Sequence, residues 1–323
     1  MGSDGRSQPI FKRHGQPAHA WAVLLILTVQ NCAAVLVMRY TRSVSTERLY
    51  LTSTAVIVGE VMKTITCGLL ILREQGARGI ADTFAHPTEC LKSGVPAVLY
   101  LLQNNLQYIA VGSLHAATYL ATYQLKILVT ALISVWLLHR NLVVHKWIAL
   151  ILLTAGITFV QLAEMDGSVV FSNSDTAINV PVGVAATLAA TICSSFAGVY
   201  LERLVKADHS TSVWQRNLQL GLYSITIGVA ALISSGDAER VRHNGFFHGY
   251  TWVTAASITV QALGGIVIAI VIKHADNIQK NFATALSIVL SAVLSTIFLG
   301  FAPSFQFAVG LAFVILSIWL FNK

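Results

Sequence analysis

Apolar runs of about twenty residues recur along the whole chain, at about 18–38, 49–72, 94–112, 116–138, 146–163, 180–201, 213–234, 250–272, 282–299 and 304–321. A bilayer core is roughly 30 Å thick, and a helix needs about 20 mainly apolar residues to cross it. Ten such helices with short connections leave no room in 323 residues for a separate soluble domain. Charge is scarce in the same measure: 11% of residues are charged and the mean hydropathy is +0.69, against about 25% charge in a soluble domain. The expected class is an all-α integral membrane protein with about ten transmembrane helices.

The distribution of basic residues sets an orientation. The first run is longer than a signal-peptide core and lacks a clear small-residue cleavage site, so it reads as a retained helix behind a polar cytosolic tail, residues 1–17. On the side of that tail fall Arg6, Lys12, Arg13, Arg73, Arg78, Lys92, Arg140, Lys146, Arg203, Lys206, Lys273, Lys280 and Lys323. The other side holds Arg39, Arg42, Arg48, Arg240 and Arg242. Positive residues favour the cytosol, so both termini are expected there. A lumenal loop at 165–179, with Asp166 and Asp175 and no Lys or Arg, separates a first five-helix half (18–164) from a second (180–323). An odd helix count per half makes a duplicated half insert upside down. Two inverted five-helix repeats with substrate between them, near the midplane, are a recurrent transporter design. The faint match of Val111-Gly-Ser-Leu-His115-Ala116 with Val271-Ile-Lys-His274-Ala275 adds little to that count.

Ionisable and amide side chains at membrane depth mark the candidate site, because a charged one costs at least about 2.5–3.5 kcal/mol at a helix centre. Lys126 lies about ten residues from either end of the fourth run, roughly 15 Å at 1.5 Å per residue, too deep to reach water. Tyr119, Tyr123 and Lys126 share a helix face at i, i+4 and i+7. A cation beside two phenols suits an anionic ligand that carries rings; the alternative is a lysine paired with an acid elsewhere, for which Glu60 is the candidate. Glu60 and Lys63, at i and i+3, can pair with each other as a structural or a gating ion pair. In the third run Gln103, Asn104, Asn105 and Gln107 interrupt the apolar pattern, with Tyr100, Asn104 and Gln107 on one face. Amides that donate and accept suit a pyrimidine edge, and they equally suit bonds between helices. In the second half Ser194, Ser195, Gly198 and Tyr200, then Arg216, Asn217 and Gln219, then Gln261 with Gly264-Gly265, offer small and polar groups that line a cavity or pack helices.

Other chemistries find no footing. Cys32, Cys67, Cys90 and Cys193 show no paired spacing for a metal or a disulfide framework. The net charge of +7 is scattered and forms no stripe for nucleic acid. HExxH, GxSxG and a membrane-edge DxD are absent, so an enzyme lacks a catalytic set. Lipid-facing helices all look apolar, so the oligomeric state is not legible, and a homodimer is compatible with that surface.

Six segments in order resemble the nucleotide-sugar transporters of the drug/metabolite transporter superfamily. They are Leu102-Gln-Asn-Asn105-Leu, Ala116-Ala-Thr-Tyr119-Leu-Ala-Thr-Tyr123-Gln-Leu-Lys126-Ile-Leu, Ser195-Phe-Ala-Gly198-Val-Tyr200-Leu-Glu202, Trp214-Gln-Arg-Asn217-Leu-Gln219, Gln261-Ala-Leu-Gly-Gly265 and Lys273-His-Ala-Asp276-Asn277-Ile-Gln-Lys280 with the residues that follow. The branch they resemble carries UDP-N-acetylglucosamine, UDP-galactose and CMP-sialic acid.

That resemblance implies ten helices, no cofactor, and obligatory exchange of a nucleotide sugar for a nucleoside monophosphate across the Golgi membrane, with the ER membrane as the alternative. It implies that Lys126 and Lys280, one from each half, hold phosphates. Tyr119, Tyr123, Asn104, Asn105, Ser195, Tyr200 and Asn217 would then contribute to nucleotide and sugar binding. His115, His274 and Asn281 depart from the pattern, the last standing where glycine is frequent. The motifs lean to UDP-N-acetylglucosamine or UDP-galactose with UMP as counter-substrate, and CMP-sialic acid with CMP is the alternative.

Overall fold

The computed structural model describes residues 17–44, 50–166, 179–207, 211–299 and 304–323. The expected tail and most of the expected lumenal loop lie outside these. Every regular element among the described residues is a helix: α1 (Pro17–Val44), α2 (Thr52–Ala85), α3 (Pro87–Ser113), α4 (Ala116–Tyr123), α5 (Lys126–Leu138), α6 (Val144–Asp166), α7 (Val180–Ala207), α8 (Val213–Ser234), α9 (Asp237–Asn244), α10 (Trp252–His274), α11 (Asn277–Leu299) and α12 (Phe305–Asn322). Seven stretches, at 52–85, 117–138, 144–163, 180–207, 213–234, 252–274 and 305–322, are long and apolar enough to cross a membrane.

Three features depart from the expected spans. The fourth run continues from 117 to 138, but its α-helical bonding is interrupted at Gln124–Leu125, where both residues keep helical φ and ψ while Leu125 N bonds to Thr122 O (3.2 Å) and Ile127 N to Gln124 O (3.1 Å), a tighter i to i+3 pattern. The second run continues past 72 to Ala85, bending at Gly76, whose φ of 68° is one that side chains rarely adopt. The polar stretch after Gly236 folds into the short surface helix α9, with Asp237 and Glu239 in its first turn and Arg242 and His243 in its last, as the helix dipole favours.

Helix ends are set by local chemistry. Ser212 and Gln215 form a reciprocal capping box at α8, and the Thr251 and Ser304 hydroxyls accept from Thr254 N and Phe307 N to open α10 and α12. Lipid tails give apolar helices no reason to associate, so packing relies on small residues that let backbones approach. Here α6 runs along α12, α3 along α7, α2 along α8, and α1 along both α10 and α11. Gly156 and Gly310 face each other so closely that a Cβ on either would lie 2.9 or 2.8 Å from the other's carbonyl oxygen. Around that contact Leu153, Ile157, Val160, Val289 and Val314 form the largest apolar cluster. The outer surface exposes Leu25, Ile65, Leu132, Ile151 and Trp319, a lipid-facing complexion.

Because that approach leaves no room, Gly310→Leu should separate α6 from α12 and lower stability by about 1–3 kcal/mol, the usual penalty of overpacking. A thermal unfolding curve in detergent checks this, and a transition at the wild-type temperature would show that the two helices have slack.

Candidate functional site

The break in the fourth run builds the site around Lys126. As the first residue of α5, Lys126 points its ammonium at Tyr123, with Nζ 3.3 Å from the phenol oxygen and 5.4 Å from the ring centroid. Tyr119 and Tyr123 are stacked, centroids 5.7 Å apart with 26° between the planes. From α3, Gln107, which accepts from Gln103 at 3.3 Å, lies near both hydroxyls, and Tyr100 lies within electrostatic reach of Tyr123. The Lys126 carbonyl is gripped from two directions: Thr130 donates to it at 2.7 Å and Ser195 of α7 at 3.3 Å, with the two hydroxyls 3.0 Å apart. On α11, Lys280 sits close enough to Lys126 for the two ammonium groups to repel. Among the described residues neither lysine forms a salt bridge. Glu60 does not answer Lys126, because it is bonded to Lys63 on its own helix, at 2.6 and 2.8 Å.

A second group surrounds that ion pair. Glu60 and Lys63 line a cavity of about 190 Å³ together with Tyr50, Thr52, Gln261 and Gly265. Gly265 leaves space for the Lys63 stem, whose Cδ a Cβ at 265 would meet at 2.9 Å. Gly264 faces α1, where Gln30 donates to the Val260 carbonyl at 2.9 Å and would collide with any larger residue at 264. Gln261 is exposed and directs its amide at Ser257, 3.4 Å away.

Four expected residues stand apart from both groups. Tyr200 stacks on Phe196, which contacts the exposed Trp136. Asn217 returns its amide to Val213 O within α8, and Asn105 does the same with Leu101 O in α3. Asn104 is exposed beside it. Arg216 and Gln219 belong to a clamp between helix ends: Arg216 is buried and pairs with Glu89 at 2.6 Å, while Gln219 bonds to Ser93 and to the Thr83 carbonyl.

The family scan matches residues 18–322 to the nucleotide-sugar transporter model. The chain belongs to the nucleotide-sugar transporter family. Bovine UDP-galactose translocator is 43% identical over 93% of this chain and 76% of its own length. Human UDP-N-acetylglucosamine transporter is 42% identical over 92% of this chain and 93% of its own. One crystal structure shares the fold alone, with a TM-score of 0.65 at 17% identity over 94% of this chain and 96% of that one. The protein is thus a transporter rather than an enzyme.

In this transporter, one ionic cluster went unread in the sequence. Glu202, fully buried on α7, accepts from Arg140 (2.5 Å), Lys206 (2.7 Å) and the backbone N of Asn277 (3.0 Å). Arg140 forks to Asp276 at 2.9 Å, and Lys206 also donates to Ala275 O at 2.6 Å. The cluster joins the α5–α6 link to α7 and to the α10–α11 elbow, within electrostatic reach of Lys280. Lys206 lies one helical turn from Glu202, a legible i, i+4 spacing, but Arg140 is 62 residues before it and Asn277 75 after, so the rest of the cluster left no trace in the spacing.

Removing one carboxylate from a buried ionic group strands its cations, a loss of about 3 kcal/mol or more. Glu202→Gln, nearly identical in shape, should therefore lower the melting temperature markedly. Unfolding at the wild-type temperature would mean that Arg140 and Lys206 are satisfied without it.

Proposed function

We propose that this transporter exchanges a cytosolic UDP-sugar, UDP-N-acetylglucosamine or UDP-galactose, for lumenal UMP by alternating access in the Golgi membrane. The observation that carries the reading is Lys126, whose ammonium faces the stacked phenols and forms no salt bridge among the described residues, with Lys280 within electrostatic reach. Two ammonium groups that form no salt bridge call for a ligand with about two negative charges. A diphosphate linked at both ends to sugars carries that charge, and a monophosphate with a second pKa near 6 does too at neutral pH. Both members of the exchange therefore neutralise the same pair. An empty site leaves buried like charges together, which opposes the switch between access states and couples entry to return.

Supporting the base end are the stacked phenols with Gln107, which offer a ring face and a donor–acceptor edge. The cavity beside Glu60 and Lys63 suits the sugar, with Gln261, Gly264 and Gly265 on its α10 wall. The ion pair makes that wall net neutral, and about 190 Å³ is less than the roughly 300–1,000 Å³ of a pocket that takes in a whole ligand, so it fits one end of the molecule. Asn104, Asn105, Tyr200 and Asn217 contribute, in this account, in the other access state.

The pairing of helices supports ten spans in two inverted halves, counting α4 and α5 as one broken span and α9 as none. Under that relation α1 on α10 corresponds to α7 on α3, and α1 on α11 to α7 on α5; α2 on α8 and α6 on α12 map onto themselves. The Arg140–Glu202–Asp276 cluster then closes the cytosolic face. The contacts of Ser53 with Asp237 and of Tyr250 with Thr54 lie at the lumenal mouth, where Tyr50 lines the cavity. The relatives named for UDP-galactose and UDP-N-acetylglucosamine favour a UDP cargo over CMP-sialic acid.

The test is uptake of labelled UDP-sugar into proteoliposomes loaded with UMP, with CMP or with nothing. Uptake dependent on internal UMP is the expected result. Dependence on CMP would reassign the cargo, and equal uptake into empty vesicles would refute exchange.

A further inference from the structure

The fourth span breaks at Gln124–Leu125 although neither glycine nor proline is present there, so the break needs another cause. Three side-chain contacts supply it. Thr130 and Ser195 bond to the Lys126 carbonyl from the α5 side of the break. At the break itself Gln124, 8% exposed, donates its amide to Oε1 of Gln161 on α6 at 2.6 Å. Gln161 is anchored in turn. Its neighbour Val160 is fully buried and presses on Gly310 in the close backbone approach of α6 to α12.

We propose that Gln161 is a positioning residue for Lys126: its bond to Gln124 fixes the α4–α5 elbow to the α6–α12 pair and thereby aims the ammonium at Tyr123 and toward Lys280. Gln161 touches no ligand in this account. It sets the direction of α5 at its first residue, and Lys126 is that residue. A bond between amides in a membrane interior also adds stability wherever it occurs. Positioning differs from that plain role in one respect, because its effect passes through the Lys126 side chain. The inference rests on the reading of Lys126 as a phosphate-binding group.

The experiment uses the full-length protein in detergent, with two readouts. The first is the rate at which an amine-reactive reagent labels Lys126 in the ligand-free protein, followed by mass spectrometry. The second is UMP affinity in wild type, Gln161→Leu, Lys126→Ala and the double variant. Gln161→Leu should change the labelling rate several-fold and weaken UMP binding about tenfold, the equivalent of ~1.4 kcal/mol. In the Lys126→Ala background the same substitution should add almost nothing. Should Gln161→Leu fail to fold, Gln124→Leu removes the same bond from the other side. Unchanged labelling in a folded variant, or losses that multiply in the double variant, would overturn the proposal. If Lys126→Ala binds UMP as tightly as wild type, the phosphate reading fails instead, and the labelling rates alone decide the elbow.

Discussion

A cation held at membrane depth without an acid to meet it is the constraint on which the rest of this structure turns. Elsewhere in the fold, buried charge is answered close by: Lys63 by Glu60, Arg216 by Glu89, and Arg140 and Lys206 by Glu202, with Asp276 taking the second arm of Arg140. Lys126 is the exception among the described residues: no carboxylate pairs with it, and Glu202 acts only on its neighbour Lys280, without a salt bridge. An ionised side chain in a dry interior is costly unless something compensates it. The surrounding groups do not neutralise the two lysines; they orient them. Tyr123 takes a hydrogen bond from Lys126, and Thr130 and Ser195 hold its carbonyl.

On the proposed alternating-access reading the site must change access, and the packing differs from place to place in a way that suits it. The glycine contact of α6 with α12 joins backbones with almost no intervening side chain, a rigid element. The contacts between helix ends are polar instead: the Arg140–Glu202–Asp276 cluster at one face, and the hydroxyl and aromatic contacts of Ser53, Thr54, Tyr50 and Tyr250 at the other. Polar contacts can be exchanged for water or ligand as a face opens, whereas interdigitated backbones cannot. On that reading the polar helix-end contacts are the parts that move and the α6–α12 contact is the part that does not.

Much of this was legible in the sequence, for identifiable reasons. Twenty-residue apolar runs locate helices because a bilayer fixes their length. Lys126 declared itself by depth, since its stem cannot reach water, and Glu60 with Lys63 declared itself by i, i+3 spacing. What escaped depends on contacts between distant segments or on side-chain direction. The break at Gln124 has no Gly or Pro to announce it and depends on Gln161, 37 residues on. Asn217 carries the right chemistry for a ligand, yet its amide turns back on its own helix. Arg140 looked like an ordinary cytosolic charge because its meeting with Glu202 and Asp276 requires the fold. The extension of α2 beyond residue 72 is polar, so a hydropathy reading stops short of it.

The claim at the centre of this account is that the two lysines recognise phosphate. Its most direct test compares UMP with uridine, which shares the base and ribose and lacks the charge, by binding to purified wild type, Lys126→Ala and Lys280→Ala. The account predicts that each substitution weakens UMP by about tenfold or more, at least ~1.4 kcal/mol, and leaves uridine unchanged. Equal losses for both ligands, or UMP binding that survives either substitution, would contradict it.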